Sequence, residues 1–179
     1  MLRKLFRSVT PAPTVADEFY AMAVSQARTP AFYARLGVPD RIDARFELYT
    51  LHVLLLILRL RQDGEAGGVL SQALFDTYVS ALDNALRELG VGDIVVGKKM
   101  RRLGEALYGR MGSYETALTA GDAAGLAEAL DRNVYEGAAV DGGRALAAYT
   151  LEAREGLAAQ PVDALRASPA WPAVPEIRS

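Results

Sequence analysis

The sequence predicts an all-α fold, a single compact multi-helix domain around one long buried central helix, with no sheet. Three observations carry this. Apolar residues recur at helical rather than alternating intervals, as in Leu70, Leu74, Tyr78, Leu82 and Leu86. The β-branched run Ile94–Val96 is too short and too isolated to pair as a strand. The stretch "ARFELYTLHVLLLILRLRQ", from Ala44, is apolar around nearly its whole circumference, the mark of a helix enclosed on all sides.

The elements follow in order. Thr14 caps a first helix, with Asp17 and Glu18 in its first turn, running to about Arg28. Thr29-Pro30 opens a second, since proline is tolerated at the first helical position, and Gly37 with Pro39 ends it. Asp43 caps the third, the enclosed helix, which stops at Gly64; "EAGG" is a turn. The fourth is "VLSQALFDTYVSALDNALREL", whose outer side carries Gln72, Asp76, Asp83 and Arg87. Gly90 can end it at positive φ and Asp93 can cap a fifth, from Asp93 to Arg110, with Val96, Met100, Leu103 and Leu107 inward. Asp122 starts a sixth with Leu126, Leu130 and Tyr135 on one stripe, and "EGAAVDGG" breaks it. "RALAAYTLEAREGLAAQ" forms a seventh, and Pro161 opens a short last one. Three prolines and the only Trp make "SPAWPAVPEIRS" an extended tail. The chain thus divides into an N-terminal arm over 1–12, a helical domain over 13–167 and a Pro-rich tail over 168–179.

Composition narrows the function. Hydrophobic residues make up 51% of the 179, enough for a sizeable core. Net charge is -2, so bulk electrostatics favour neither nucleic acid nor an acidic partner. The total hides an imbalance: residues 1–112 carry 15 Lys+Arg against 12 Asp+Glu, residues 113–179 carry 5 against 10. An anionic partner therefore prefers the first part. Cysteine is absent, which excludes disulfides, thiol catalysis and cysteine metal sites. The longest apolar stretch, Leu48 to Leu58, falls short of the roughly 20 residues that a membrane-crossing helix needs. In "MLRKLFRSV", Leu2, Leu5, Phe6 and Val9 alternate with basic residues, so residues 1–9 form either a disordered tail or a short amphipathic arm suited to a membrane surface. Only 3 of 20 basic residues are Lys, the usage of a GC-rich bacterial genome, and the expected location is cytoplasmic, touching the inner face of the membrane.

Catalytic constellations are scarce. His52, the one histidine, sits mid-way along the most apolar helix; it reads as a buried core residue with one satisfied nitrogen, binding neither metal nor haem. Asp76 and Asp83 are seven apart on one helix face, where paired carboxylates can bind metal or do acid–base work but more often face solvent or pair with arginine. The glycines 90, 92 and 97 follow no strand, so they make no phosphate cradle. What stands out is a basic run: Lys98, Lys99, Arg101, Arg102 and Arg110 against Glu105 alone, with Tyr108 and Tyr114 near its far end. Lys98, Arg101 and Arg102 share one helix face. Such runs usually form a solvated face. As a binding surface this one suits a protein partner or anionic lipid heads better than RNA, given few interleaved aromatics.

Several segments together resemble the ubiquinol–cytochrome c chaperone family: "ARFELYTLH" and "LSQALFDTYVSALDNALRELGVGDIVVGKKMRRLGEALYGRMGSYETAL". The pieces that match are Phe46-Glu47-Leu48 with His52, Ser71-Gln72 with Leu74-Phe75-Asp76, Asp83 with Leu86-Arg87-Glu88, Gly90 to Asp93, Lys98 or Lys99 with Met100, and Tyr108-Gly109-Arg110. The likeness is strong over Asp43–Leu118 and unanchored in the last third. It implies a non-enzymatic assembly factor, without cofactor, that binds cytochrome b or its translation and insertion machinery. It also implies a second assembly factor, and no nucleic acid beyond ribosome contact. The glycine-acid segment becomes an elbow holding Arg87 and Glu88 at a fixed angle to Asp93, Lys98, Lys99, Arg101 and Arg102. Those residues, with Asp76, Asp83, Tyr108 and Arg110, are the candidate partner contacts, unless they only lock the elbow by ion pairing. Two alternatives stay open. A lipid- or quinone-binding module requires a long apolar cavity, and a small helical enzyme requires Asp76, Asp83 and His52 to converge on a pocket.

Overall fold

The computed structural model describes residues 13–88, 93–137 and 141–176; the side chains of residues 86, 93–104 and 106 lie outside the described set. Eight α-helices, one 3-10 turn and no strand occur among the described residues. α1 (Val15–Ala27) begins with a reciprocal cap. The Asp17 N–H donates to Thr14 Oγ1 at 3.2 Å while the Thr14 N–H donates to Asp17 Oδ2 at 2.8 Å, satisfying two orphan donors at once. α2 (Pro30–Leu36) ends at Gly37, whose φ of 63° is the left-handed conformation glycine adopts without strain.

α3 (Ile42–Leu60) is the enclosed helix: between Glu47 and Leu60 only Tyr49 and Leu58 are not buried. It packs against α1, α4 (Gly64–Glu88), α5 (Asp93–Ala120) and α7 (Gly142–Ala158), which explains its all-round apolarity. Its start differs from expectation. Arg41 occupies the N-cap and Asp43 lies inside the first turn, where its charge still opposes the helix dipole. The expected "EAGG" turn is also corrected. The chain turns earlier, through the 3-10 segment Arg61–Asp63 and Gly64 at φ 67°, and these residues already belong to α4.

α5 runs on to Ala120, beyond the expected end at Arg110, because Met111, Tyr114, Ala117 and Leu118 keep burying one face. Gly121, at φ 66°, ends it, and Asp122 caps α6 (Ala123–Asn133) by accepting the Gly125 N–H at 2.9 Å. α6 and α7 pack along each other, and the "GG" of the expected break opens α7. α8 (Val162–Ala167) follows Pro161. Residues 168–176 are extended, as the prolines require, but they lie against the domain: Val174 is buried and Trp171 packs on the core. Residues 1–12 and the elbow glycines Gly90 and Gly92 lie outside the described residues.

Candidate partner-binding surface and the polar network beneath it

α3 carries Glu47, Thr50, His52 and Arg59 inside its buried stretch. Burying such groups unpaired costs about 1–3 kcal/mol each, and the structure pairs all four. Arg110 Nη1 reaches Glu47 Oε1 at 2.9 Å, Tyr114 donates to Glu47 Oε2 at 3.1 Å, and Asn133 donates to the Tyr114 hydroxyl at 2.9 Å. One carboxylate thus ties α3 to α5 and, through Tyr114, to α6. Burial pushes the Glu47 carboxyl up to about 7, opposed by the Arg110 charge and the Tyr114 hydrogen bond. Burial likewise raises Tyr114, so its hydroxyl keeps the proton it donates.

Thr50 donates to the Phe46 carbonyl at 2.9 Å, which leaves its oxygen to accept from Tyr78 of α4 at 2.7 Å. His52 Nδ1 lies 2.7 Å from the Leu48 carbonyl, so that nitrogen carries the proton. Nε2 then accepts from the Tyr149 hydroxyl at 3.0 Å, and Tyr149 accepts from Gln26 at 3.0 Å. Burial drives the imidazole down to about 4. His52 is fully buried, as its apolar neighbours suggest, but both nitrogens are satisfied rather than one. Arg59 donates to the carbonyls of Leu157 and Gln160 and pairs with Asp63 at 2.7 Å, closing α3 against the end of α7.

The acids expected on the outer face of α4 stay there. Asp76 accepts from Gln72 at 2.9 Å, and Asp83 pairs with Arg87 at 2.7 Å. His52 is 0% exposed beneath Phe32, Tyr149 and Trp171, so the alternative set of Asp76, Asp83 and His52 is not assembled at any solvent-facing site. Glu88 and Arg87 are exposed at the end of α4. Asp93, Lys98, Lys99, Arg101 and Arg102 fall on α5, so the helical spacing that puts Lys98, Arg101 and Arg102 on one face holds; their side chains lie outside the described residues. Arg110, read as a partner contact, pairs with the buried Glu47 and lies over the Phe46 ring at 5.6 Å, while its half-buried side chain still reaches the surface.

Tyr108 is 65% exposed and its ring centroid stands 5.2 Å from that of Phe75. The two rings edge a surface cleft of about 210 Å³ between α3, α4 and α5, floored by Leu54, Ile57 and Met111 and flanked by the Arg61–Glu115 ion pair at 3.0 Å. Sequence reasoning named Tyr108 without its cleft. Phe75 entered only as part of a matched motif and Met111 lay past the expected end of α5, whose continuation beyond Arg110 supplies Met111, Gly112 and Glu115 to the cleft. Among the described residues no helix is long and apolar enough to cross a membrane.

The ubiquinol–cytochrome c chaperone family model matches residues 34–171. The chain belongs to that family. The match runs from α2 to Trp171, so it takes in the last third that resemblance alone had left unanchored. The chain's structure is similar to the crystal structure of the Cbp3 homolog from Brucella abortus, at a TM-score of 0.79 and 36% identity over 89% of this chain and 90% of that one. Ubiquinol-cytochrome-c reductase complex assembly factor 1 of Xenopus laevis is 24% identical over 119 residues, 66% of this chain. The mouse protein of the same name is 24% identical over 120 residues. The chain spans 59% of the length of the frog relative and 40% of the mouse one.

Proposed function

We propose that this protein is a non-enzymatic assembly factor of the ubiquinol–cytochrome c reductase complex, which binds cytochrome b or the machinery that makes and inserts it. The family match over most of the domain carries the reading. The chemistry of the buried groups supports it: Glu47, His52 and Arg59 are committed to partners inside the fold, while the exposed acids of α4 pair locally. Such a molecule works by presenting surface. The contact surface in this reading is the α4–α5 elbow: Asp76, Asp83, Arg87 and Glu88 from α4, then Asp93, Lys98, Lys99, Arg101, Arg102, Tyr108 and the half-buried Arg110 from α5. A second assembly factor, the ribosome and, through residues 1–9, the membrane surface are the further partners. The expected location is the cytoplasmic face of the inner membrane.

The test is deletion in the native host, with cytochrome b and assembled complex measured by spectrum and native gel. The reading expects both to fall and to return with the wild-type gene. A deletion strain with normal cytochrome b and normal complex would overturn it.

A further inference from the structure

The segment 168–176 is held by devices suited to reading an extended peptide. Pro169, Pro172 and Pro175 keep it out of helix and sheet and favour an extended backbone. The Gln160 side chain makes a two-way bond to one residue of it: Gln160 Oε1 accepts the Ala170 N–H at 2.8 Å and Gln160 Nε2 donates to the Ala170 carbonyl at 3.0 Å. Gln160 is itself fixed, because Arg59 holds its main-chain carbonyl at 2.7 Å. One position on, the Trp171 ring meets His52 edge-on with centroids 5.2 Å apart. Three positions further, Val174 is 6% exposed, and its carbonyl accepts from Arg35 of α2 at 3.3 Å. Arg35 also reaches Glu176 at 3.7 Å, an exposed pair of little energetic weight.

We infer that the groove between α2, α3 and the end of α7 is a peptide-binding site for an extended segment with an aromatic residue followed three positions later by a small aliphatic one. Residues 168–176 are its resident ligand, which such a segment displaces. The resident segment is the occupant on view: it shows two side-chain anchors, a side-chain amide that satisfies one peptide unit, and an arginine that takes a carbonyl beyond the second anchor. These contacts recognise backbone and two side chains, as peptide grooves do. The floor explains why the groove is kept filled. His52 and Phe32 are fully buried, with ring centroids 5.3 Å apart, and Trp171 packs directly on His52. Without its strap the groove would present apolar surface to solvent, an aggregation liability. A tethered strap acts at an effective concentration on the order of mM, so it yields to a segment that binds appreciably better or is itself held nearby. The inference goes beyond the assembly reading, and its test on purified protein does not depend on cytochrome b.

The probe is a fluorescein-labelled peptide with the sequence of residues 168–176, titrated by fluorescence polarisation into full-length protein. The variant Trp171→Ala/Val174→Ala weakens the resident strap and leaves the groove intact. It should bind the peptide about tenfold or more tightly than the wild type, since the competent fraction rises. A peptide with alanine in place of its Trp and Val should not bind. A double variant that unfolds cooperatively like the wild type yet gains no peptide affinity overturns the inference. So does one that binds the alanine peptide equally well. Should the double variant fail to fold, Val174→Ala alone weakens only the second anchor of the strap and leaves the groove intact; it should gain affinity severalfold, and wild-type affinity there overturns the inference too.

Discussion

Glu47 and His52 stand five positions apart on α3 and titrate in opposite senses. The Glu47 carboxyl rises from 4.5 to about 7, so between those values the folded chain holds a proton that the unfolded chain has released. Its contribution is complete below the unfolded value and is lost as pH rises through the folded one. Asp43 adds to the rise, while Arg110 and Tyr114 oppose it. The His52 imidazole falls from 6.5 to about 4, so there the unfolded chain binds the proton, and stability grows as pH rises. In the shared window, 4.5 to 6.5, the two slopes offset each other and the wild type should show a nearly flat profile. Single substitutions expose each slope. Glu47→Gln should become more stable as pH rises across that window and His52→Gln less stable, by up to about 3 kcal/mol each. Urea unfolding across the window measures it, and variants that keep the wild-type slope would show that neither group titrates as described. Both residues were visible in the sequence as polar interruptions of an apolar helix. Their partners were not: Arg110 and Tyr149 lie 63 and 97 positions further along, and nothing local to α3 predicts them.

Helices were legible as elements because burial of one face sets a period that survives in the sequence, and the Thr14, Gly37 and Asp122 boundaries followed from capping chemistry. The errors share a cause. "EAGG" and "DGG" look like turns, yet Gly67 lies in α4 and Gly142 and Gly143 open α7. A Cβ at Gly67 would strike the Leu60 carbonyl oxygen, with the carbonyl carbon at 3.1 Å. One at Gly143 would strike the Asp131 carboxylate and lie 2.8 Å from the Ala127 carbonyl oxygen. These glycines allow close approach between helices, a tertiary demand that sequence reading mistakes for a local one. The distinction predicts opposite signs. Gly67→Ala and Gly143→Ala should destabilise by about 1–3 kcal/mol through overpacking. Gly68→Ala and Gly156→Ala, helical positions where a Cβ meets nothing within 4 Å, should stabilise by about 0.5–1 kcal/mol. Thermal or denaturant unfolding of the four variants decides it; a loss at Gly68 and Gly156 equal to that at Gly67 and Gly143 would remove the packing argument.

The molecule as a whole is close to neutral but divided, +3 over residues 1–112 and -5 over residues 113–179, and the proposed function makes a testable use of that division. The basic positions Lys98, Lys99, Arg101 and Arg102 fall on the N-terminal half of α5, while Arg110 on the same helix pairs with the buried Glu47. Charges at the rim of an interface act mainly on the rate of encounter and its salt dependence. Lys99→Glu/Arg102→Glu should therefore leave stability within about 0.5 kcal/mol, as surface substitutions do. It should slow association with purified cytochrome b in nanodiscs, measured by surface plasmon resonance, by about tenfold at low salt. The gap should narrow sharply above 0.1 M salt, where the screening length falls to about 10 Å. A control separates local steering from net charge. Arg132→Glu/Arg144→Glu makes the same change in total charge at exposed positions of α6 and α7, within the acidic part. If α5 steers the partner, that control associates at nearly the wild-type rate. If both double variants slow equally, net charge alone sets the encounter and the basic run of α5 is an ordinary solvated face. If neither slows, the partner docks elsewhere, and the cleft edged by Phe75 and Tyr108 becomes the next surface to alter.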